Sequence, residues 1–160
     1  MTDEHWQARA AALWQAFDSY APEAFVAAME DLAAECPNDP VALFEVGGAH
    51  DSTGRTAEAI GYYRRALEAG LDGSRRRQAM IQMASSMRET RGAAEALELL
   101  EAEAERGSDE YDDAIAMCRA LTLAKLGRDR EGLSVALLAL APHLPRYGRS
   151  TVAYAKGLVE

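Results

Sequence analysis

The stretch GGAHDSTGRTAEAIGYYRRAL, residues 47–67, constrains this chain more than any other. Small residues stand at Gly47, Ala59 and Ala66, larger apolar ones at Ile60, Tyr63 and Leu67, and the turn signal Ser52-Thr53-Gly54 lies between. Helices pack about 8–10 Å apart, and the side chains at the contact set the distance. The pattern therefore predicts an antiparallel helix pair whose near contact joins Gly47 to Ala59. Ala66 would then let the second helix approach the unit that follows. A glycine inside a helix costs about 1 kcal/mol relative to alanine, a cost that close packing offsets. The apolar periodicity runs through Gly47-Gly48, which favours helix over a flexible Gly-Gly loop.

The pattern recurs. Ala84 stands 37 residues after Gly47, and Ala120 stands 36 after that. The first shift brings Met80, Met83, Met87, Ala96, Leu97 and Leu100 into register, and the second brings Leu123, Gly127, Gly132, Leu133, Ala139 and Leu140. A period in this range predicts an all-α, right-handed α-solenoid in which each helix pair buries its apolar face against its neighbours. One domain over residues 1–160 is expected, with pairs at about 3–36, 40–71, 74–106 and 109–141 and a capping helix at about 150–159. Within them, helices are expected at about 3–19, from Pro22, at 40–53, 56–69, 74–89, 93–105, 109–126 and 129–140, with Ser150 capping the last.

Between Pro40 and Leu71, the residues Leu43, Val46, Gly47, Gly54, Ala59, Tyr63 and Ala66 fall on the positions of a tetratricopeptide repeat. The chain resembles that family and, more narrowly, the small bacterial group 5 tetratricopeptide domain. It departs from the pattern at His50, where Tyr or Leu is usual, at Leu71 in place of the closing Pro, and at Glu103 and Arg119. The resemblance implies a non-catalytic module that binds a protein or peptide on an inner face, with no cofactor. Its register puts Val41, Phe44, Gly48 and Asp51 on that face, then Gln78, Ile81, Ser85 and Arg88 with Gln82 beside them, then Ala114, Met117, Leu121 and Ala124. The binding residues expected are Phe44, Asp51, Gln78, Ile81, Gln82, Ser85, Arg88, Met117 and Leu121. The positions from which some relatives grip a terminal carboxylate carry Phe44, Gly48, Gln82, Ala114 and Cys118, so no such clamp is expected. Two alternatives stand beside an open groove: the chain's own terminal helices fill it, with Trp6 and Trp14 as plugs, or a second copy does.

Charge and composition narrow the classes further. A net charge of −9 argues against nucleic acid or an anionic membrane as a general partner. Residues 1–53 carry −9, 54–91 carry +4, 92–113 carry −8 and 114–160 carry +4, an alternation suited to attraction between neighbouring units or to solvated faces. No apolar run approaches the roughly 20 residues of a membrane span, and the acidic start Thr2-Asp3-Glu4 is unlike a signal peptide. A cytoplasmic protein is the expectation. Cys36 and Cys118 lack metal spacing and are expected reduced.

Arg75-Arg76-Arg77 begins a helix, where the macrodipole disfavours cations. Pairing with Asp72 or the acidic sixth helix answers that, and so would an anion or acidic partner. His50 takes a core-facing position and is expected to be a hydrogen-bonded structural residue; a small enzyme or ligand-binding domain would have to unite it with Gln82 and Arg88. No phosphate loop, metal-binding His pair or nucleophile elbow is present, so neither a metal nor a catalytic centre is expected.

Overall fold

The computed structural model describes residues 1–160, which form nine α-helices, two short 3-10 turns and no strand. The helices are α1 (Glu4–Gln15), α2 (Pro22–Ala34), α3 (Pro40–Ser52), α4 (Thr56–Glu68), α5 (Gly73–Glu89), α6 (Ala93–Glu105), α7 (Asp112–Lys125), α8 (Asp129–Leu140) and α9 (Gly148–Gly157). None is long and apolar enough to cross a membrane.

Local chemistry sets the starts. The Asp3 carboxylate accepts from the Trp6 backbone N–H at 2.8 Å, and Asp39 accepts from those of Val41 and Ala42, each satisfying donors that a first helical turn leaves open. Pro40 follows as the first residue of α3, where its missing N–H is harmless. Three boundaries differ from the sequence expectation. The first helix stops at Gln15, and residues Phe17–Ser19 tighten into a 3-10 turn. The seventh starts at Asp112 rather than Asp109, because Asp109 turns back to accept from the Tyr111 N–H at 2.9 Å while Ser108 and the Asp109 N–H both donate to the Asp112 carboxylate. The ninth starts at Gly148, after Tyr147 in the left-handed region at φ 70°. Ser150 therefore lies inside the helix, donating to the Tyr147 carbonyl at 2.9 Å, and is not the cap.

The chain forms two compact units, residues 1–86 and 87–160. In the first, α1 packs on α2, α2 on α3, and α3 on α4. Trp6, Phe25, Val26, Met29, Leu32 and Val46 build its core, and the Trp6 indole N–H donates to the Leu32 carbonyl at 2.9 Å. In the second, α6 packs on α7, α7 on α8, and α8 on α9. Neighbour-on-neighbour packing of this kind is what a helical repeat predicts.

Two turns repeat one another. Gly54 ends α3 at φ 78°, with Arg55 N–H donating to the His50 carbonyl at 2.8 Å. Gly127 ends α7 at φ 75°, with Arg128 N–H donating to the Leu123 carbonyl at 2.9 Å. Both use the same glycine stop, in which a positive φ lets the chain reverse while free carbonyls are capped. The positions differ by 73 residues, the separation of Gly47 from Ala120.

The tightest packing lies elsewhere than expected in the first of these pairs. A Cβ at Gly47 would stand 2.8 Å from the ring of Tyr63, so Gly47 makes room for that ring rather than for Ala59. In the later pair, a Cβ at Gly132 would stand 2.6 Å from the Ala120 carbonyl oxygen, a near contact of backbone with backbone.

Candidate functional site

Within residues 1–86, α1, α3 and α5 bound a cleft of about 550 Å³, inside the range of roughly 300–1,000 Å³ usual for ligand sites. Its apolar part is Trp14 and Phe44 over Gly48, and its polar part is Glu45, Ser52, Ser74, Arg75, Gln78 and Gln82. The helical period explains the convergence. Val41, Phe44, Glu45, Gly48 and Ser52 recur at three- and four-residue spacing, so they share one face of α3. Ser74, Gln78 and Gln82 do the same on α5.

Trp14 is the wall supplied from α1. Its indole N–H donates to Glu45 Oε2 at 2.7 Å. Phe25 holds the ring at 5.0 Å between centroids and Phe17 at 6.0 Å. A Cβ on Gly48 would come within 3.1 Å of Trp14 Cζ2, so glycine is what lets the ring lie on α3. Burial pushes the Glu45 carboxyl above its ordinary range, opposed by the Trp14 hydrogen bond and the charge of Arg75. Arg75 also donates to Gln7 Oε1 at 3.0 Å. Gln82 Oε1 is buried without a hydrogen-bond partner.

Of the residues expected on the inner face, the cleft gathers Phe44, Gln78 and Gln82. Asp51 lies outside its lining, with its carboxylate held by Ser86 Oγ at 2.7 Å and Tyr63 Oη at 3.5 Å. Ile81 and Ser85 are half-buried and also outside that lining. Arg88 belongs to the second unit, where its Nε donates to Glu89 at 3.0 Å. Met117 and Leu121 are about half exposed on α7, also in the second unit.

The arginine run is not one patch. Arg75 faces the cleft, Arg76 is half-buried and Arg77 is buried, because consecutive helical residues point about 100° apart. Of the two tryptophans weighed as plugs, Trp14 borders the cleft and Trp6 is in the core. Glu45, Ser52 and Ser74 were not foreseen, although their spacing from Val41, Gly48 and Gln78 was the available signal.

His50 is buried, 3.0 Å from Glu30 Oε1 through Nε2 and stacked on Tyr62 at 5.1 Å between centroids. It does not line the cleft that contains Gln82, so the constellation a small enzyme would need is not assembled there. No group of three or more His, Cys, Asp or Glu could hold a metal ion, and both cysteines are free. Glu103, on a position where the repeat takes a small residue, is buried with a carboxylate oxygen 3.8 Å from Arg106 Nε.

A family model described as a tetratrico peptide repeat matches residues 40–158. No curated protein and no solved structure matches the chain.

Proposed function

The chain belongs to the tetratricopeptide repeat family, and from that premise we propose that it is a non-catalytic module that binds a protein or peptide segment in the cleft of residues 1–86. One observation carries this reading: the inner-face residues Phe44, Gln78 and Gln82 converge with Trp14 and Arg75 on a single cavity. A few polar groups beside an aromatic wall suit recognition of a peptide, with main-chain bonds giving affinity and side-chain contacts giving selectivity. A net charge of −9 disfavours nucleic acid and anionic membrane as general partners. Two unbridged cysteines suit the reducing cytoplasm. The test is selection of binders from a randomised peptide library, then titration of wild type and Gln78→Lys, with folding of both checked by circular dichroism. Undiminished binding by Gln78→Lys would remove the cleft from the function.

A second reading, self-association, is favoured by a different observation. Met117, Leu121, Leu133, Leu140, Tyr147 and Tyr154 are all about half or more exposed, and all lie in the second unit. Met117 and Leu121 occupy on α7 the places of Phe44 and Gly48 on α3. Apolar side chains left in water gain from association where they adjoin one another. Light scattering over a wide concentration range, with Leu133→Lys as control, tests this; a monomer at every concentration ends it.

A further inference from the structure

The terminal units of a helical repeat normally turn a polar face outward, because no further unit covers them. Both terminal elements of this chain depart from that rule. Between α1 and α2 lies an open groove of about 510 Å³, lined by Ala12, Leu13, Ala28 and Leu32 with Asp31 and Glu35 beside them. At the other terminus, Tyr147 and Tyr154 are about three-quarters exposed. They stand seven residues apart, about two helical turns, so they share one side of α9. Arg149 and Lys156 have the same spacing and share a neighbouring side.

We propose that this chain associates head to tail: α9 of one copy docks on the α1/α2 groove of another, with Tyr154 entering the groove and Arg149 and Lys156 meeting its acidic residues. The proposal rests on the self-association reading above and deepens it by naming two unlike faces as the partners.

Charge selects this occupant. Residues 1–35 hold seven acidic residues and one basic, a net of −6. Residues 141–160 hold three basic and one acidic, a net of +2. Two copies of either face would set like charges against each other, which is costly at an interface. The unlike faces attract. Their charges are also available for pairing between copies. Glu35 is answered by Arg9 at 2.6 Å, whereas Asp31, Arg149 and Lys156 have no such partner within the chain.

Shape agrees with charge. Ala12 and Ala28 are short, so they leave a hollow beside the larger Leu13 and Leu32. A tyrosine offers a large apolar ring for such a hollow and a hydroxyl that stays near water. Docking would cover both apolar departures at once. A contact between two unlike faces is heterologous, so each copy keeps one face of each kind to offer.

The test uses full-length chains and measures mass by light scattering across concentration and salt. Wild type should associate, with a dissociation constant that rises about tenfold or more from low to high salt. Ala12→Arg fills the groove and reverses its charge, and Tyr154→Glu spoils the α9 face. Both positions are exposed, and circular dichroism should show both variants folded. Each variant alone should associate at least about tenfold more weakly than wild type. Mixed one to one, they should form a heterodimer at least about tenfold tighter than either variant forms with itself, through the intact groove of one and the intact α9 of the other. Arg149→Glu/Lys156→Glu is a second α9 variant and should pair with Ala12→Arg no better than Ala12→Arg pairs with wild-type groove blocked by excess Tyr154→Glu, because its α9 carries the wrong charge; with an intact groove it should still accept the α9 of Ala12→Arg. Association that Ala12→Arg leaves at wild-type strength, a mixture that forms no heterodimer, or a constant indifferent to salt would overturn this proposal while self-association stood. A wild type monomeric at every concentration would overturn both.

Discussion

The pairs α3/α4 and α7/α8 solve one packing problem in two ways. Tyr63 lies 16 residues after Gly47, and Ala136 lies 16 after Ala120, so the four residues occupy equivalent places. In α3/α4 the large member is on the second helix: Tyr63 is fully buried, and Gly47 leaves the hollow for its ring. In α7/α8 the residue equivalent to Tyr63 is Ala136, which lies at the surface, and the near contact is Gly132 against the Ala120 carbonyl oxygen. The repeat thus keeps a fit between facing helices, not a residue type. Protein interiors are filled to crystal-like density, so shrinking one partner must be answered by another group or by the backbone itself.

The helix faces that the 73-residue spacing makes equivalent differ too. Trp14 lies over Gly48, while the equivalent Leu121 is 48% exposed. One unit carries its own cover for that stretch of its face; in the other the equivalent residue is open to solvent.

The comparison breaks most clearly at Tyr63. Tyr63→Ala should lower unfolding stability by about 3–5 kcal/mol in urea titration, whereas Ala136→Ser at the equivalent place should shift it by under about 0.5 kcal/mol. Equal losses would mean that the two pairs are not packed differently.

Next in size is Gly132→Ala. The new methyl would meet backbone at 2.6 Å, and backbone cannot swing aside. A net loss of about 1–3 kcal/mol is expected, outweighing the gain of up to about 1 kcal/mol in helix propensity. A variant as stable as wild type would mean that α7 and α8 are farther apart than described.

Gly47→Ala sharpens the contrast. Alone it should destabilise by about 1–2 kcal/mol, because its methyl strikes the Tyr63 ring. In a Tyr63→Ala background the same change should stabilise by up to about 1 kcal/mol, the helix propensity of alanine over glycine. A double-mutant cycle reads the coupling, and simple additivity would separate Gly47 from the ring.

The smallest effect concerns Glu45. Burial raises its carboxyl in the folded state, so the ionised form is disfavoured there relative to the unfolded chain. Wild type should lose that increment of stability as pH rises from the ordinary glutamate range through the raised folded value. Glu45→Gln, which still accepts from Trp14, should be relatively more stable at pH 7 than at pH 4. Thermal melts at both pH values check this, and a difference of opposite sign would mean that the carboxylate is better stabilised folded than free.

Much of the helix order was legible. Asp39-Pro40 marks a start, Gly54 and Gly127 mark stops, and the spacing of Leu43, Val46 and Gly47 marks a face, because each acts through its nearest neighbours in the chain. The start of α7 was missed because Asp109 can bond its own following backbone as well as cap a helix. Part of the cleft was legible too, in Phe44, Gln78 and Gln82. Glu45 and Ser74 were overlooked, and no local signal could tell that Ser86 and Tyr63 would hold Asp51 away from the lining.

The sequence by itself determined that the chain is helical, that small residues recur at one place in each pair, and where several helices begin and end. These follow from periodicity, capping and propensity, which operate over a few residues. Only the tertiary structure decided that Tyr63 fills the hollow at Gly47, that Gly132 meets backbone instead, and that Trp14 crosses from α1 to wall the cleft. Each of those depends on volumes brought together from distant parts of the chain, and the spacing of residues along a chain does not fix which of several small residues will face which large one.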